Sequence, residues 1–215
     1  MPDSEIRCIE VGDAPAELGD MRPAKYRDCE ALSLRRSWEG AGALPKESGT
    51  AYVGAAEAGL SICAVYEDSD IFSTATADDQ QMWTLGDVAE AFIKPGVERP
   101  DYWEIHVTPN GYLMDIRIPD RQRFMGGEVT WDEVVAASSG TARRARVLEG
   151  RWAAELVVPW AAFGVEGRPA AGERWQFAVR RYNYNGGLRD PELSSTAPLS
   201  QPGFHRYEEF SDLVF

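Results

Sequence analysis

The chain has 215 residues, 44% hydrophobic and 27% charged, an ordinary make-up for a folded, water-soluble protein. Its 22 Lys and Arg face 35 Asp and Glu, a formal charge of −13, so it lacks the basic footprint that nucleic acid or an anionic membrane requires. No run approaches the ~18 apolar residues that span a bilayer, and the length predicts one domain over residues 1–215.

Met1-Pro2-Asp3-Ser4-Glu5 has no basic region and no apolar run, so no signal peptide is read there. The expected compartment is the cytoplasm, or outside the cell if a leader has been removed. Residues 6–11 alternate in strand fashion, 24–36 are mixed, and 38–49 form a Gly-rich loop holding Pro45. Residues 51–56 and 60–66 flank Glu57-Ala58-Gly59 as a hairpin, followed by the acidic stretch Glu67-Asp68-Ser69-Asp70. A polar loop covers 73–82, and residues 87–94 predict a strand stopped by Pro95-Gly96. Residues 102–107 and 112–118 enclose Thr108-Pro109-Asn110-Gly111. Asn-Gly between alternating runs is a strong hairpin signal, because both residues tolerate positive φ. Pro109 makes this turn longer than the minimal one.

Residues 119–142 form an irregular excursion with a helical turn at 131–135. Residues 143–148 and 152–158 predict a second hairpin about Glu149-Gly150. Pro159 opens a helical turn over 160–163 that Gly164 ends. A long strand over 174–184 turns at Asn185-Gly186-Gly187, and residues 208–215 predict a turn and a final strand. Nine or more short strands joined by turns predict an all-β fold. The expectation is an antiparallel β-sandwich, jelly-roll or immunoglobulin-like, with a few short helical turns. Cys8, Cys29 and Cys63 have no metal spacing and leave an odd count, so buried thiols are expected rather than a disulfide framework. With only His106 and His205, no structural zinc site is expected.

Four segments together resemble a known family. Met82-Trp83-Thr84-Leu85-Gly86-Asp87-Val88-Ala89-Glu90-Ala91-Phe92-Ile93 resembles the W-x-x-D-x-V-E-x-F-I block of carbohydrate-binding module family 9. Tyr102-Trp103-Glu104-Ile105-His106-Val107-Thr108-Pro109-Asn110-Gly111 is similar to its aromatic PNG hairpin. Trp152-Ala153-Ala154-Glu155-Leu156-Val157-Val158-Pro159-Trp160 resembles its GW-AE-AIPW segment. The close, Phe204-His205-Arg206-Tyr207-Glu208-Glu209-Phe210 through Phe215, is similar to its FH-PE-FG-L-F ending. The blocks stand in family order from about residue 50 onward.

The resemblance implies a sandwich of the wider sugar- and haem-binding superfamily, non-catalytic binding of an oligosaccharide or polysaccharide end between two aromatic rings, and often structural calcium. It leaves room for association with a glycoside hydrolase. A sugar ring offers an apolar face for stacking and a rim of hydroxyls for polar side chains. Trp83 falls at one stacking position, one residue out of register with Asp87. Phe204 falls at the second, with His205 beside it able to serve instead. Glu90 falls on a carboxylate that accepts from sugar hydroxyls. His106 stands where the family has an Arg, and lacks its planar donor fork. Arg180, Arg181, Asn183 and Asn185 could add rim contacts, and Asp68, Asp70, Asp78 and Asp79 are the carboxylates available for calcium. No nucleophile elbow, phosphate loop or dinucleotide fingerprint is present, so no enzyme is expected. The alternatives are an interaction domain that has lost its sugar site, a haem-binding relative using Met82 with His106 or Met114 with His205, and a glycoside-processing enzyme.

Overall fold

The structure is a computed structural model describing residues 5–135 and 137–215. Residues 1–4, part of the stretch read for a leader, lie outside the described residues. The strands are β1 (Glu5–Arg7), β2 (Ile9–Glu10), β3 (Leu32–Ser33), β4 (Gly49–Ala55), β5 (Gly59–Glu67), β6 (Val88–Lys94), β7 (Tyr102–Val107), β8 (Leu113–Ile118), β9 (Ala142–Leu148), β10 (Arg151–Pro159), β11 (Arg174–Asn183), β12 (Glu192–Ser195) and β13 (Ser211–Val214). Two short helices, α1 (Arg121–Met125) and α2 (Trp131–Val135), lie in the excursion after β8.

The strands form two sheets. One runs β1-β13-β11-β6-β7-β8, with β12 also on β11; the other runs β2-β4-β5-β10-β9, with β3 on β4. Alternation places one face of each sheet in a shared core. From the first sheet come Ala89, Ala91, Ile93, Trp103, Ile105, Val107, Trp175, Phe177 and Val179; from the second come Val53, Ile62, Ala64, Trp152, Leu156 and Val158. This is the expected β-sandwich. Among the described residues the pairing is antiparallel except at two places, β1 with β13 and β2 with β4, which are parallel. Residues 6–11, expected as one strand, divide between the two sheets at Cys8, whose N–H donates to the Val214 carbonyl.

The 102–118 hairpin forms in the expected register, with Tyr102 opposite Ile118 and Val107 opposite Leu113. Gly111, at φ 86°, closes its turn by donating to the Thr108 carbonyl. Each sheet also carries a cover on its outer face. Residues 14–29 pack Ala16, Leu18, Tyr26 and Cys29 against the second sheet. There Glu155 of β10 accepts from Ala16 N, Lys25 Nζ and the Tyr26 hydroxyl, at 2.8, 2.8 and 2.9 Å. The outer face of the first sheet is covered by three segments: the loop before β6, the α1–α2 excursion, and the stretch after β12. All three cysteines are free and buried.

Candidate functional site

The same alternation that sends Ala89 and Ala91 inward sends Glu90 outward on β6. It does likewise for Tyr102, Glu104 and His106 on β7 and for Arg180 and Tyr182 on β11. Register then lines these residues up: Arg180 lies opposite Glu90, Glu90 opposite His106, and His106 opposite Met114. A row of ionisable side chains thus crosses three strands beneath the cover.

The cover and this face enclose a cavity of about 340 Å³ lined by Trp83, Glu90, Glu104, Ile116, Phe124, Trp131, Tyr182, Phe204 and His205. Trp83 sits in a helical turn, Met82–Thr84, tied down by the Tyr184 hydroxyl, which donates to its carbonyl. Asp87 fixes the end of that loop by accepting from Phe72 N and Tyr184 N, both at 2.8 Å. Trp131 of α2 meets Trp83 edge-on, with centroids 5.5 Å apart and planes at 74°. Elsewhere in the lining Phe204 packs edge-on against Tyr182 at 5.3 Å and Phe92 at 6.3 Å. His205 accepts or donates at Nδ1 with the Tyr102 hydroxyl, 2.8 Å away.

Of the five residues singled out by resemblance, Trp83, Glu90, Phe204 and His205 therefore line one cavity, although they come from three separate segments. His106 is placed differently. It is fully buried behind the two carboxylates, with Nε2 2.6 Å from Glu104 Oε1 and 3.4 Å from Glu90 Oε1. Trp83 covers its ring edge-on at 5.6 Å. The cavity also uses Glu104, Phe124, Trp131 and Tyr182, which the sequence reading did not single out. Glu104 was open to it, since it stands two residues before His106 and must share its face. Phe124 and Trp131 lie in an irregular segment that carries no periodic signal.

The arginine and asparagine candidates on β11 are not on the rim. Arg180 is buried with its guanidinium over the rings of Phe92, Phe204 and Phe210, at 4.2, 4.8 and 4.6 Å. Arg181 points to the opposite face, where Asp68 meets it at 2.7 Å. Asn183 joins Arg181 and Glu47. The acidic candidates are not brought together either. Asp68 is committed to Arg181 and Asp78 to Arg143, and the four carboxylates are not gathered into one donor set.

Burial governs the electrostatics of the row. It pushes the Glu90 carboxyl up to about 8, against the lowering effect of His106. Burial works on Glu104 in the same sense, but its hydrogen bond to His106 and the nearby positive charges hold it below the usual range. His106 is desolvated, yet the two carboxylates outweigh this and raise it. Burial lowers Arg180 to about 9 and also lowers His205. Several polar atoms here have no hydrogen-bond partner among the described residues: Glu90 Oε2, Glu104 Oε2, His106 Nδ1 and all three guanidinium nitrogens of Arg180. Groups of that kind are costly unless something else satisfies them.

No protein-family profile matches the chain, and no curated protein does. Solved structures do match. A candidate carbohydrate-binding protein from Bacteroides uniformis superposes with a TM-score of 0.69 at 15% identity, covering 99% of both chains. A family 9 carbohydrate-binding module from Caldicellulosiruptor kristjanssonii in complex with cellotriose gives 0.64 at 11% identity, covering 97% of this chain and 92% of that one. The chain has the fold of a family 9 carbohydrate-binding module. A Caldicellulosiruptor family 9 module in complex with glucose gives 0.65 at 10% identity, covering 98% and 94%. At these identities the family 9 fold is what the chains share; the site rests on its own residues.

Proposed function

We propose that this family 9-like chain binds the end of a glycan without catalysis, in the cavity between the Trp83–Trp131 wall and the Tyr182–Phe204 wall. The observation that carries this reading is the convergence of rings and carboxylates from distant segments on one cavity. Aromatic faces supply contact area for the apolar side of a sugar ring, and Glu90 and Glu104 supply acceptors for its hydroxyls. The family 9 modules with this fold hold glucose and cellotriose, which supports a hexose end as ligand. Glycosidases place two carboxyls on either side of the bond they cleave. Glu90 and Glu104 instead sit side by side on adjacent strands, sharing His106.

A second reading has one observation in its favour. Phe204 is only 7% exposed and committed to Phe92, Tyr182 and Arg180, as in an interaction domain that has lost its sugar site. Calorimetric titration with glucose, cello-oligosaccharides and xylo-oligosaccharides separates the two. Saturable binding of any of them supports the sugar site; no heat with all of them supports the interaction domain.

A further inference from the structure

The buried cluster of Glu90, Glu104 and His106 sets an imidazole behind the two carboxyl groups that the sugar reading uses as acceptors. We propose that these three side chains bind one first-row divalent transition ion, zinc being the best fit, at the floor of the cavity. The site goes beyond the sugar reading and can be tested with no sugar present.

Geometry comes first. One donor atom from each of the three side chains falls within 4.8 Å of the others. Zinc holds nitrogen and carboxylate oxygen at about 2.0–2.2 Å, which sets neighbouring tetrahedral ligands roughly 3.3 Å apart. His106 Nε2 already stands 3.4 Å from Glu90 Oε1, and its 2.6 Å contact with Glu104 Oε1 needs to open by less than an ångström. The donors project from directly paired strands, β6 and β7, whose register fixes their spacing.

Satisfaction comes second. The three side chains are 2%, 7% and 0% exposed, in the order Glu90, Glu104, His106. Two carboxyl groups share one imidazole there, and the second oxygen of each has no hydrogen-bond partner among the described residues. A single proton on His106 Nε2 serves at most one of the neighbouring oxygens well. A divalent ion that displaces this proton, and the one that burial keeps on Glu90, serves both carboxylates and the nitrogen at once.

The chemistry of the set then selects the ion. Calcium and magnesium favour all-oxygen shells, whereas an imidazole with two carboxylates suits zinc and its neighbours. Access lies through the cavity, because Glu90 and Glu104 line it while His106 lies behind them. His205 Nδ1, 3.7 Å from Glu104 Oε2, is the next nitrogen at hand. The opposing charge is Arg180, directly across from Glu90 on β11.

The test uses untagged protein stripped with a chelator. Cobalt, a coloured stand-in for zinc, is titrated and its visible ligand-field bands are followed; zinc is then added to displace it. The expected result is one equivalent of bound cobalt, displaced by zinc and not by excess calcium or magnesium. Glu104→Gln and His106→Gln, checked for folding by circular dichroism, should each weaken binding at least tenfold. Three results overturn the proposal: no cobalt bands in the folded parent protein, a thiolate charge-transfer band assigning the ion to the cysteines, or undiminished affinity in folded variants. Should both variants fail to fold, Glu90→Gln takes their place, and absence of cobalt bands in the parent overturns the proposal on its own.

Discussion

Trp83 and Phe204 both line the cavity, yet they do different work. Trp83 is half-buried against His106 and Trp131, so its ring retains surface for a ligand. Trp83→Ala should weaken cellotriose binding about tenfold to a hundredfold, or ~1–3 kcal/mol, while the protein stays folded. Phe204 also carries Arg180, so Phe204→Ala should lower both affinity and stability, the latter by ~3–5 kcal/mol as for other buried aromatic truncations. Calorimetry and urea unfolding on the two variants check this; equal stability losses would contradict it. At this scale Glu90, Trp83, Phe204 and His205 were legible because they fall in blocks with a recognisable order. Arg180 was not. A sequence gives its alternation but not which rings will cover it, and an arginine in a strand reads as exposed until its cover is known.

The elements owe their placement to parity and turn chemistry. The hairpins were legible because Asn110-Gly111 and Glu149-Gly150 mark turns between alternating runs, and a one-residue slip would turn a buried face to water. The split of residues 6–11 was not legible. Alternation continues through Cys8 while the partner changes from β13 to β4, and periodicity does not specify a partner. β12 went unseen because its four residues lie in a stretch rich in Ser and Pro.

The loop that carries Trp83 depends on Gly86. Its φ is 132°, and a Cβ there would stand 2.5 Å from the Phe72 carbonyl oxygen. Gly86→Ala should therefore cost ~1–3 kcal/mol and weaken sugar binding, because the Asp87 clasp on Phe72 must shift. Thermal unfolding with titration of the same sample reads both effects, and wild-type values for both would show that the loop does not set the site.

For the whole molecule, the sheets are tied by more than apolar contact. Asp68 follows β5 in one sheet and Arg181 lies on β11 in the other; their pair is almost fully buried. Removing one partner strands the other charge, so Asp68→Ala should destabilise the fold by ~3–5 kcal/mol in urea unfolding. A loss below 1 kcal/mol would mean that water reaches Arg181. The alternating runs disclosed a two-sheet architecture, but this tie joins residues 113 positions apart and left no local trace.

Stability should also depend on pH in a particular direction. Asp87 and Glu90 start from 3.8 and 4.5, and burial raises them to about 7 and about 8 in the folded state. Between those values the folded state binds more protons than the unfolded one, so stability falls as pH rises. His106, also raised, loses its contribution in the same direction. With a chelator present, the unfolding free energy should be lower at pH 8 than at pH 5 by at least about 1 kcal/mol. A flat or rising profile would contradict the burial of these groups.

The central claim is that the cavity over β6, β7 and β11 receives a glycan end, and a crystal grown with cellotriose tests it most directly. The account predicts a terminal hexose between Trp83 and the Tyr182–Phe204 wall, with ring hydroxyls within hydrogen-bond reach of Glu90 and Glu104. Cellotriose bound at another face of the sandwich, with this cavity holding only water, would contradict it.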